Sequence, residues 1–570
     1  VSTDLLAEDD ASRRRALELA SFIVEAPAGA GKTELLTQRY LRLLAIADEP
    51  EEIVAITFTN KAAGEMRSRI AESLERARGG VPPEAAHKRV TFDLARAALA
   101  RSAARDWRIE TQPGRLRLTT IDALCAGLAR QMPLLSRFGA QPGTVEDASR
   151  HYREAARRAL DHLEDGAEGA EFAEGAEYAA AVAAALAWMD NDAERLIGLL
   201  VAMLARREQW RMITALDDPE SAIGAALEEM LAEELTAAAQ TLDAAWQAQW
   251  MPLARFAAAQ LGGEAQLSSS LAAWHSALSA ETADLTRWRA LAGFLLTQDD
   301  TPRKTVNVKN GFPAGKEFKA QKDAMLAALA GLGDDAVAAL VRLRGLPTPE
   351  HDNDDIVRAL AQLMKLAAAE LWLVFREAGE VDFGELATRA SAALGGDMDP
   401  TELGLRLDWR IRHLLVDEFQ DTSPTQVELL ERLTAGWQPG DGRTLFCVGD
   451  PMQSIYRFRK AEVGLFLRAK AQGLGGLPLT PLRLSRNNRA CAPVVAWINA
   501  GFPQLFPAHD EPLRGEISYR PFVATRADLP DAGVTLHALV TADGDAEAAA
   551  RLESGRVVAL IEAEWGADPA

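Results

Sequence analysis

Residues Glu25 to Thr33 read EAPAGAGKT and directly follow the apolar run FIV. Few segments this short restrict a fold so strongly. Gly29 and Gly31 free the backbone to turn successive N–H groups toward one point, Lys32 adds a positive charge there, and Thr33 adds a hydroxyl. The stretch matches the phosphate-loop pattern G-x-x-x-x-G-K-[ST], except that Ala26 stands at its first glycine. Such a loop functions between a buried strand and a helix N-terminus, where peptide dipoles favour an anion. The pattern predicts a strand over SFIVEA (Ser21 to Ala26) and a helix over ELLTQRYLRLLAIA (Glu34 to Ala47). Ala26, Pro27, Ala28, Gly29, Ala30, Gly31, Lys32 and Thr33 become the expected triphosphate-binding residues, with Thr33 a Mg²⁺ ligand. The bland alternative is a glycine-rich turn before a helix. The order strand, loop, Lys-Thr, helix favours the nucleotide.

The alternation continues downstream. IVAITFT (Ile53 to Thr59) reads as a second buried strand, KAAGEMRSRIAESLERA (Lys61 to Ala77) as a helix, and RLTTIDAL (Arg117 to Leu124) as a third strand entering a helix that ends before Pro133. From about Ala148 to Arg376 the chain turns Ala- and Leu-rich with helical period. Trp188, Trp210, Trp246, Trp250, Trp274, Trp288 and Trp372 fall there and are expected to anchor helix packing. Within it, the acidic, glycine-punctuated run Asp161 to Tyr178 reads as an exposed linker. The basic stretch Thr301 to Lys322 sets Arg303, Lys304, Lys309, Lys316, Lys319 and Lys322 against Glu317 alone, so it is either a solvated loop or a phosphate-contacting surface. Strand character returns in RHLLVDEF (Arg412 to Phe419) and RTLFCVGD (Arg443 to Asp450), each ending in acidic residues. In an open α/β sheet ligands sit at the carboxyl ends of strands, where the glycine-rich loop and both acidic clusters fall.

At 570 residues the chain exceeds one core, and ~100–200 residues per domain gives three or four. The expected division is 1–147, a helical insertion over 148–376, a return to the first domain over 377–480, and a further domain begun over 481–570. Lys plus Arg number 62 against 83 for Asp plus Glu, a net charge of −21 that taken alone argues against nucleic acid. Net charge governs long-range association, whereas contact with a polyanion needs only a local basic channel, so the balance weakens a nucleic-acid reading without excluding it. Cys125, Cys447 and Cys491 lie far apart without metal-ligand spacing, which fits reduced thiols, no disulfide and no zinc. No apolar run reaches membrane-spanning length and the N-terminal stretch is too charged for a secretory signal, so a cytoplasmic protein without membrane partners is expected.

Asp417 and Glu418 in LLVDEFQDTSP end an apolar strand. Asp417 suits a Mg²⁺ shell and Glu418 suits the orientation or deprotonation of water, because phosphoanhydride hydrolysis is mostly positioning and charge stabilisation. Acidic residues after a strand are more often helix caps, a role open to Asp421 and Ser423.

DEFQD (Asp417 to Asp421) followed by VGDPMQSIYRFRKAE (Val448 to Glu462) resembles the superfamily 1 helicases of the UvrD/Rep class. The phosphate loop with its leading Glu-Ala looks most like their RecB and AddA branch. ITFTNKAAGEMRSRI (Ile56 to Ile70), VDFGELA (Val381 to Ala387) and LRLSRNNRA (Leu482 to Ala490) resemble further motifs in family order. The resemblance implies an α/β fold: a RecA-like P-loop NTPase domain with a large all-helical insertion and the beginning of a second RecA-like domain. It implies an ATP-dependent, 3′-to-5′ DNA helicase of repair or recombination, using ATP and Mg²⁺ on single-stranded or end-bearing DNA, with a possible second helicase-nuclease subunit. Lys32, Asp417, Glu418, Gln453 and Arg489 would be catalytic, Gln453 and Arg489 reaching the γ-phosphate and Gln420 coupling with them. Phe58, Tyr456 and Phe458 would stack on bases, and Thr57, Asn60, Lys61, Arg459 and Lys460 would touch the DNA backbone.

The sequence departs from the family in several places. Arg13 stands where an adenine-reading glutamine is expected, Asn488 where a Tyr or Phe is usual, and TTIDAL where a TFH segment is usual. The family's last motifs, with a further catalytic arginine, and its nuclease signature are not found before Ala570, so the chain reads as the N-terminal part of a longer protein. The tail Val534 to Trp565 reads as one strand and one helix. A scaffold protein with a decayed motor and an ATP-dependent exonuclease remain alternatives.

Overall fold

A computed structural model of the chain describes residues 2–110, 112–131, 142–163, 173–214, 219–261, 270–346, 354–396, 399–401, 410–454, 462–511, 515–526, 533–539 and 546–566. It divides into two compact units, one built from residues 1–146 with 379–570 and the other from 147–378.

The first unit is organised by six parallel strands: β1 (Phe22–Glu25), β2 (Ile53–Thr57), β3 (Arg117–Thr120), β4 (His413–Val416), β5 (Thr444–Gly449) and β6 (Thr480–Arg483). Their order across the sheet is β6-β1-β5-β4-β2-β3. Every residue of β1, β2, β4 and β5 is buried, as a parallel sheet covered on both faces requires, and this explains their unbroken apolar runs. β6 contains the expected domain boundary at 480/481 and pairs with β1, so the main sheet runs past it. Helices α1 (Ser2–Arg15), α2 (Lys32–Leu44), α3 (Asn60–Arg78), α4 (Ala86–Ala104) and α5 (Ile121–Gln131) accompany the first three strands. Leu35, Leu36, Leu43, Met66, Ile70 and Trp107 pack with Phe22, Val24 and Phe446 in one core.

Arg39, buried on α2, is an exception inside that core. It donates to the carbonyls of Ala16, Glu18 and Ala20, and to Thr444 Oγ1 at 3.2 Å. Its guanidinium also lies 5.2 Å from the Phe446 ring centroid, a cation–π distance. The hydroxyl of Thr444 meets His413 Nδ1 at 2.9 Å. Burial, helped by the nearby Arg39 and Arg412, pushes the His413 pKa down to about 3.

The second unit is helical, from Ser149–Asp161 to the long Asp354–Ala378. Trp250, Trp274 and Trp288 are fully buried, with Leu231, Leu291, Phe312 and Leu340 in the same core. Trp188 departs from expectation: it ends the helix Ala173–Trp188 with its side chain 54% exposed. Residues 173–178 of the expected linker are helical; 164–172 lie outside the described residues. In the basic stretch Arg303 turns inward and donates to the carbonyls of Gly293 and Phe294, near the end of the helix Leu285–Leu295. Lys304, Lys309, Lys316 and Lys319 are exposed. In the tail, the helix Ala546–Gly566 is present, but residues 533–539 form no strand. No single helix among the described residues is long and apolar enough to cross a membrane.

The His413 shift makes a stability prediction. The folded chain refuses a proton that the unfolded chain accepts near its ordinary value of 6.5, so this stability is complete above 6.5 and is lost as pH falls toward 3. Urea unfolding at pH 6.5 and pH 5 should show wild type losing about 2 kcal/mol more than His413→Gln between those values. Equal losses in the two proteins would remove His413 as the cause.

Candidate active site

Because β1, β5 and β4 are adjacent and parallel, their carboxyl ends open on one edge of the sheet. β1 runs into the phosphate loop, β5 into Asp450 and β4 into Asp417 and Glu418. Gly29 and Gly31 have φ of 75° and 83°, the left-handed region that glycine enters without a Cβ penalty. Gly31 caps α2 without a side-chain hydrogen bond, leaving the first N–H groups of the helix available to an anion. Ala26, by contrast, has no positive φ and is buried, its N–H donating to the Gly449 carbonyl at 2.9 Å. Nothing at that position demands glycine, which explains why the departure from the pattern is tolerated.

The charged groups form a connected line. Lys32 Nζ lies 3.0 Å from Glu418 Oε2. The same oxygen accepts Gln420 Nε2 at 2.9 Å, and Gln420 Oε1 accepts the Asp450 N–H at 2.9 Å. Asp450 Oδ2 accepts Gln453 Nε2 at 2.6 Å. Lys32, Glu418, Gln420 and Gln453 are therefore brought into one hydrogen-bonded chain, with Asp417 Oδ1 accepting the Glu418 N–H beside it. Glu418 itself holds φ 51°, uncommon for a residue with a side chain and of the kind that clusters at functional sites. Gly449 permits the arrangement, since a Cβ there would collide with Gln420 Oε1.

Helix capping does not account for the acids. The helix Pro424–Leu433 is capped by Ser423, whose side chain and N–H exchange hydrogen bonds with Gln426. Asp417 and Glu418 are left to the strand end. Burial, then the neighbouring Glu418 charge, raises the Asp417 pKa to about 7, while burial raises Asp421 and Asp450 to about 6. Lys32 opposes all three shifts. One lysine thus faces several buried carboxylates, an environment that favours a further cation.

The segment after β6 closes on the loop. Asn487 Nδ2 donates to the Ala28 carbonyl and Asn488 Nδ2 to that of Gly29, while Asn487 Oδ1 accepts the N–H groups of Arg489 and Ala490. A Cβ on Gly29 would lie 3.0 Å from the Arg489 Cβ, so Arg489 is held against the loop. Glu25, buried at the end of β1, pairs with Lys470 at 2.8 Å and Arg520 at 2.5 Å. Sequence reading did not assign Glu25, Asp450 or Asn487. All three lie inside quoted motifs, but the partners of Glu25 could not be read from its position.

The expected DNA-facing residues divide. Phe58 is half-buried, and Asn60 and Lys61 are exposed at the start of α3. Thr57 requires correction: it is buried, and its hydroxyl donates to the Thr59 carbonyl at 3.1 Å, so it does not face solvent. Tyr456, Phe458, Arg459 and Lys460 lie outside the described residues.

Residues 9–170 and 302–472 match the model of the UvrD/REP helicase N-terminal domain. The chain is 27% identical over 554 residues to a subunit of the ATP-dependent helicase/nuclease of Desulfitobacterium hafniense (strain DSM 10664 / DCB-2), covering 90% of this chain and 37% of that protein. To the protein of the same description from Moorella thermoacetica (strain ATCC 39073 / JCM 9320) it is 28% identical over 549 residues, covering 90% and 36%. A shorter stretch of 178 residues is 34% identical to that of Bacillus cereus (strain B4264), covering 30% and 14%. The chain spans little more than a third of the length of the relatives it matches along most of its own length.

Gly449→Ala should destabilise the first unit by about 1–3 kcal/mol through overpacking against Gln420 and Phe466. Adding Gln420→Ala removes the nearest obstacle and should recover part of that loss in chemical unfolding. Strict additivity of the two substitutions would rule out the clash as the cause.

Proposed function

This chain belongs to the UvrD/REP helicase family, and we propose from that premise that it carries the ATP-binding part of a motor that moves along DNA in repair or recombination. The observation that carries the proposal is the line Lys32–Glu418–Gln420–Asp450–Gln453, which joins a phosphate loop to the carboxylates and amides that can answer to a γ-phosphate. The substrate is a nucleoside triphosphate whose phosphates are cradled by the N–H groups of residues 29–33. Lys32 leaves Glu418 for the β- and γ-phosphates as the triphosphate enters. Glu418, released from the lysine, orients the attacking water and accepts its proton.

Thr33 and Asp417 fit Mg²⁺ by chemistry, since a hydroxyl and a buried, undercompensated carboxylate are hard oxygen donors. Bound there, Mg²⁺ would neutralise charge on the β/γ oxygens. Among the described residues no group of three or more acidic, His or Cys side chains forms a metal cage of its own. That suits an ion which takes much of its shell from phosphates and water. Gln453 senses the γ-phosphate while tied to Asp450, and Arg489 reaches the same phosphate from its place against Gly29.

The DNA-facing side comprises Phe58, Asn60 and Lys61 at the end of β2, with Tyr456, Phe458, Arg459 and Lys460 assigned by family resemblance. Aromatic stacking there tolerates any base, which translocation requires. The family resemblance implies a 3′-to-5′ polarity, the scattered cysteines suit a cytoplasmic location, and the relatives' description as one subunit of a helicase/nuclease supports work beside a second protein. The retained Lys32, Thr33, Asp417, Glu418, Gln453 and Arg489 favour a working motor over a decayed scaffold.

In the full-length protein, Lys32→Ala and Glu418→Gln should each lower DNA-stimulated ATP hydrolysis by ~100-fold or more, in line with the removal of a principal charge-stabilising or base group. Glu418→Gln should still bind ATP at least as tightly as wild type, because Lys32 loses its competing carboxylate. Wild-type turnover in either variant overturns the mechanism.

A further inference from the structure

Glu25 ends β1 at the root of the phosphate loop, and its carboxylate is buried. Oε2 pairs with Lys470 on the helix Val463–Gln472, and Oε1 accepts Arg520 Nε. Arg520 is tied further through its other nitrogens. Nη2 donates to Asp510 Oδ2 at 2.5 Å, and Nη1 to Asp510 Oδ1 at 3.0 Å and the Ser518 carbonyl at 2.7 Å. Its backbone N–H meets Met452 Sδ at 3.4 Å, beside Gln453. From this anchor the chain runs alongside residues 485–489. The Val523 N–H donates to the Ser485 carbonyl at 2.7 Å, Arg486–Asn487 pairs in parallel with Val523–Ala524, and the Thr525 N–H donates to the Asn487 carbonyl at 3.0 Å. The Thr525 hydroxyl donates to Asn488 Oδ1 at 2.5 Å, and Arg526 Nη1 donates to the Arg489 carbonyl at 3.0 Å. Asn487 and Asn488 thus bond the phosphate loop through Nδ2 and the segment after Arg520 through their oxygens, while the side chain of Arg489 stays exposed.

We infer that residues 520–526 are a positioning strap for Arg489, anchored by the pair Arg520–Glu25 at the root of the phosphate loop. The inference rests on the reading of Arg489 as a γ-phosphate contact given above. A ladder of two residues per strand is too short to fix its own register, and a slip of one residue turns every side chain to the other face. Arg520 supplies what the ladder lacks. Bonded to Glu25 and Asp510, it sets where the strap begins, so that Thr525 arrives beside Asn488 and Arg526 beside Arg489. The burial of the pair points the same way: a buried ion pair gains little net stability over apolar side chains of similar volume, but its partners are satisfied in one arrangement. Arginine serves here where lysine would not, because its fork reaches Glu25 through Nε and Asp510 through both Nη groups. Since residue 520 also touches Met452, Gln453 and Arg489 take their places from the same anchor. The N–H groups of residues 29–33 and Lys32 hold the rest of the triphosphate, so the strap acts on the γ-phosphate end.

The test is competition of ADP, and of the non-hydrolysable β,γ-imido analogue of ATP, for a fluorescent nucleotide bound to the full-length protein. Wild type should favour the analogue over ADP, and Arg489→Ala should cut that ratio by about tenfold or more, the worth of a charge-assisted hydrogen bond. Arg520→Gln should also cut it by about tenfold, through displacement of Arg489, with little change in ADP affinity. In an Arg489→Ala background the same substitution should lower the ratio no further. Thr525→Val, which removes only an exposed hydroxyl, should lower the ratio by about threefold, and it decides the matter if Arg520→Gln folds poorly. An unchanged ratio in either variant that still binds ADP, or full additivity of Arg520→Gln with Arg489→Ala, overturns the inference. An unchanged ratio in Arg489→Ala sinks the γ-phosphate role of that residue, and no nucleotide binding by wild type sinks the nucleotide site itself, whereas a loss confined to Arg489→Ala sinks the strap alone.

Discussion

The contact between Lys32 and Glu418 joins groups 386 residues apart, and it forms because parallel strands deliver their carboxyl ends to a common edge. Everything else at that edge is arranged around it. Gln420 holds the glutamate in place, Asp450 holds Gln420, and Gly449 leaves the space in which they meet. The glutamate tolerates a left-handed backbone because its neighbours on both sides are bonded into the sheet and the turn that follows. In a site of several carboxylates and one lysine, each charge depends on the others. Burial makes ionisation costly for Asp417, and an arriving cation would relieve that cost.

Much of this edge was legible in the sequence because its signals are local. A strand, a glycine pair and Lys-Thr define a phosphate loop within a few residues, and β4 and β5 each announce themselves as an apolar run ending in acid. The expected strands and helices of the first three strand–helix repeats are present with small shifts at their ends, as with the second strand, which stops at Thr57 rather than Thr59. What lay beyond reading were pairings across great sequence distance. Glu25 and Arg520 are 495 residues apart, and neither residue type signals the other. Asp9 is one of several acidic residues in the charged N-terminal stretch, yet it is wholly buried and accepts the N–H groups of Ser485 and Arg486. Thr57 and Trp188 failed in opposite directions: a polar residue in a motif was turned into the sheet, and a large apolar residue at a helix end was left outside.

The departures from the family pattern divide by physics. Ala26 changes nothing, because its backbone needs no glycine. Arg13 is taken up by structure, its guanidinium tying Asp9 on α1 to the Ala30 carbonyl of the phosphate loop. The net charge of −21 is likewise a property of the whole surface and does not govern the loop, where helix dipole and lysine act within a few ångströms.

The discontinuity of the first unit has a consequence for the order of events at the ribosome. β1 lies between β5 and β6, so it has no partner strand until residue 444 has been made. β2 can pair with β3 early but waits for β4 on its other side. Between β3 and β4 roughly 300 residues are synthesised, on the order of 15 to 60 s at ~5–20 residues per second. The helical unit is one continuous stretch and can fold during that interval, while the phosphate-binding strand emerges first and is completed late. Its exposed apolar backbone edge would be the natural point of engagement for chaperones on the nascent chain.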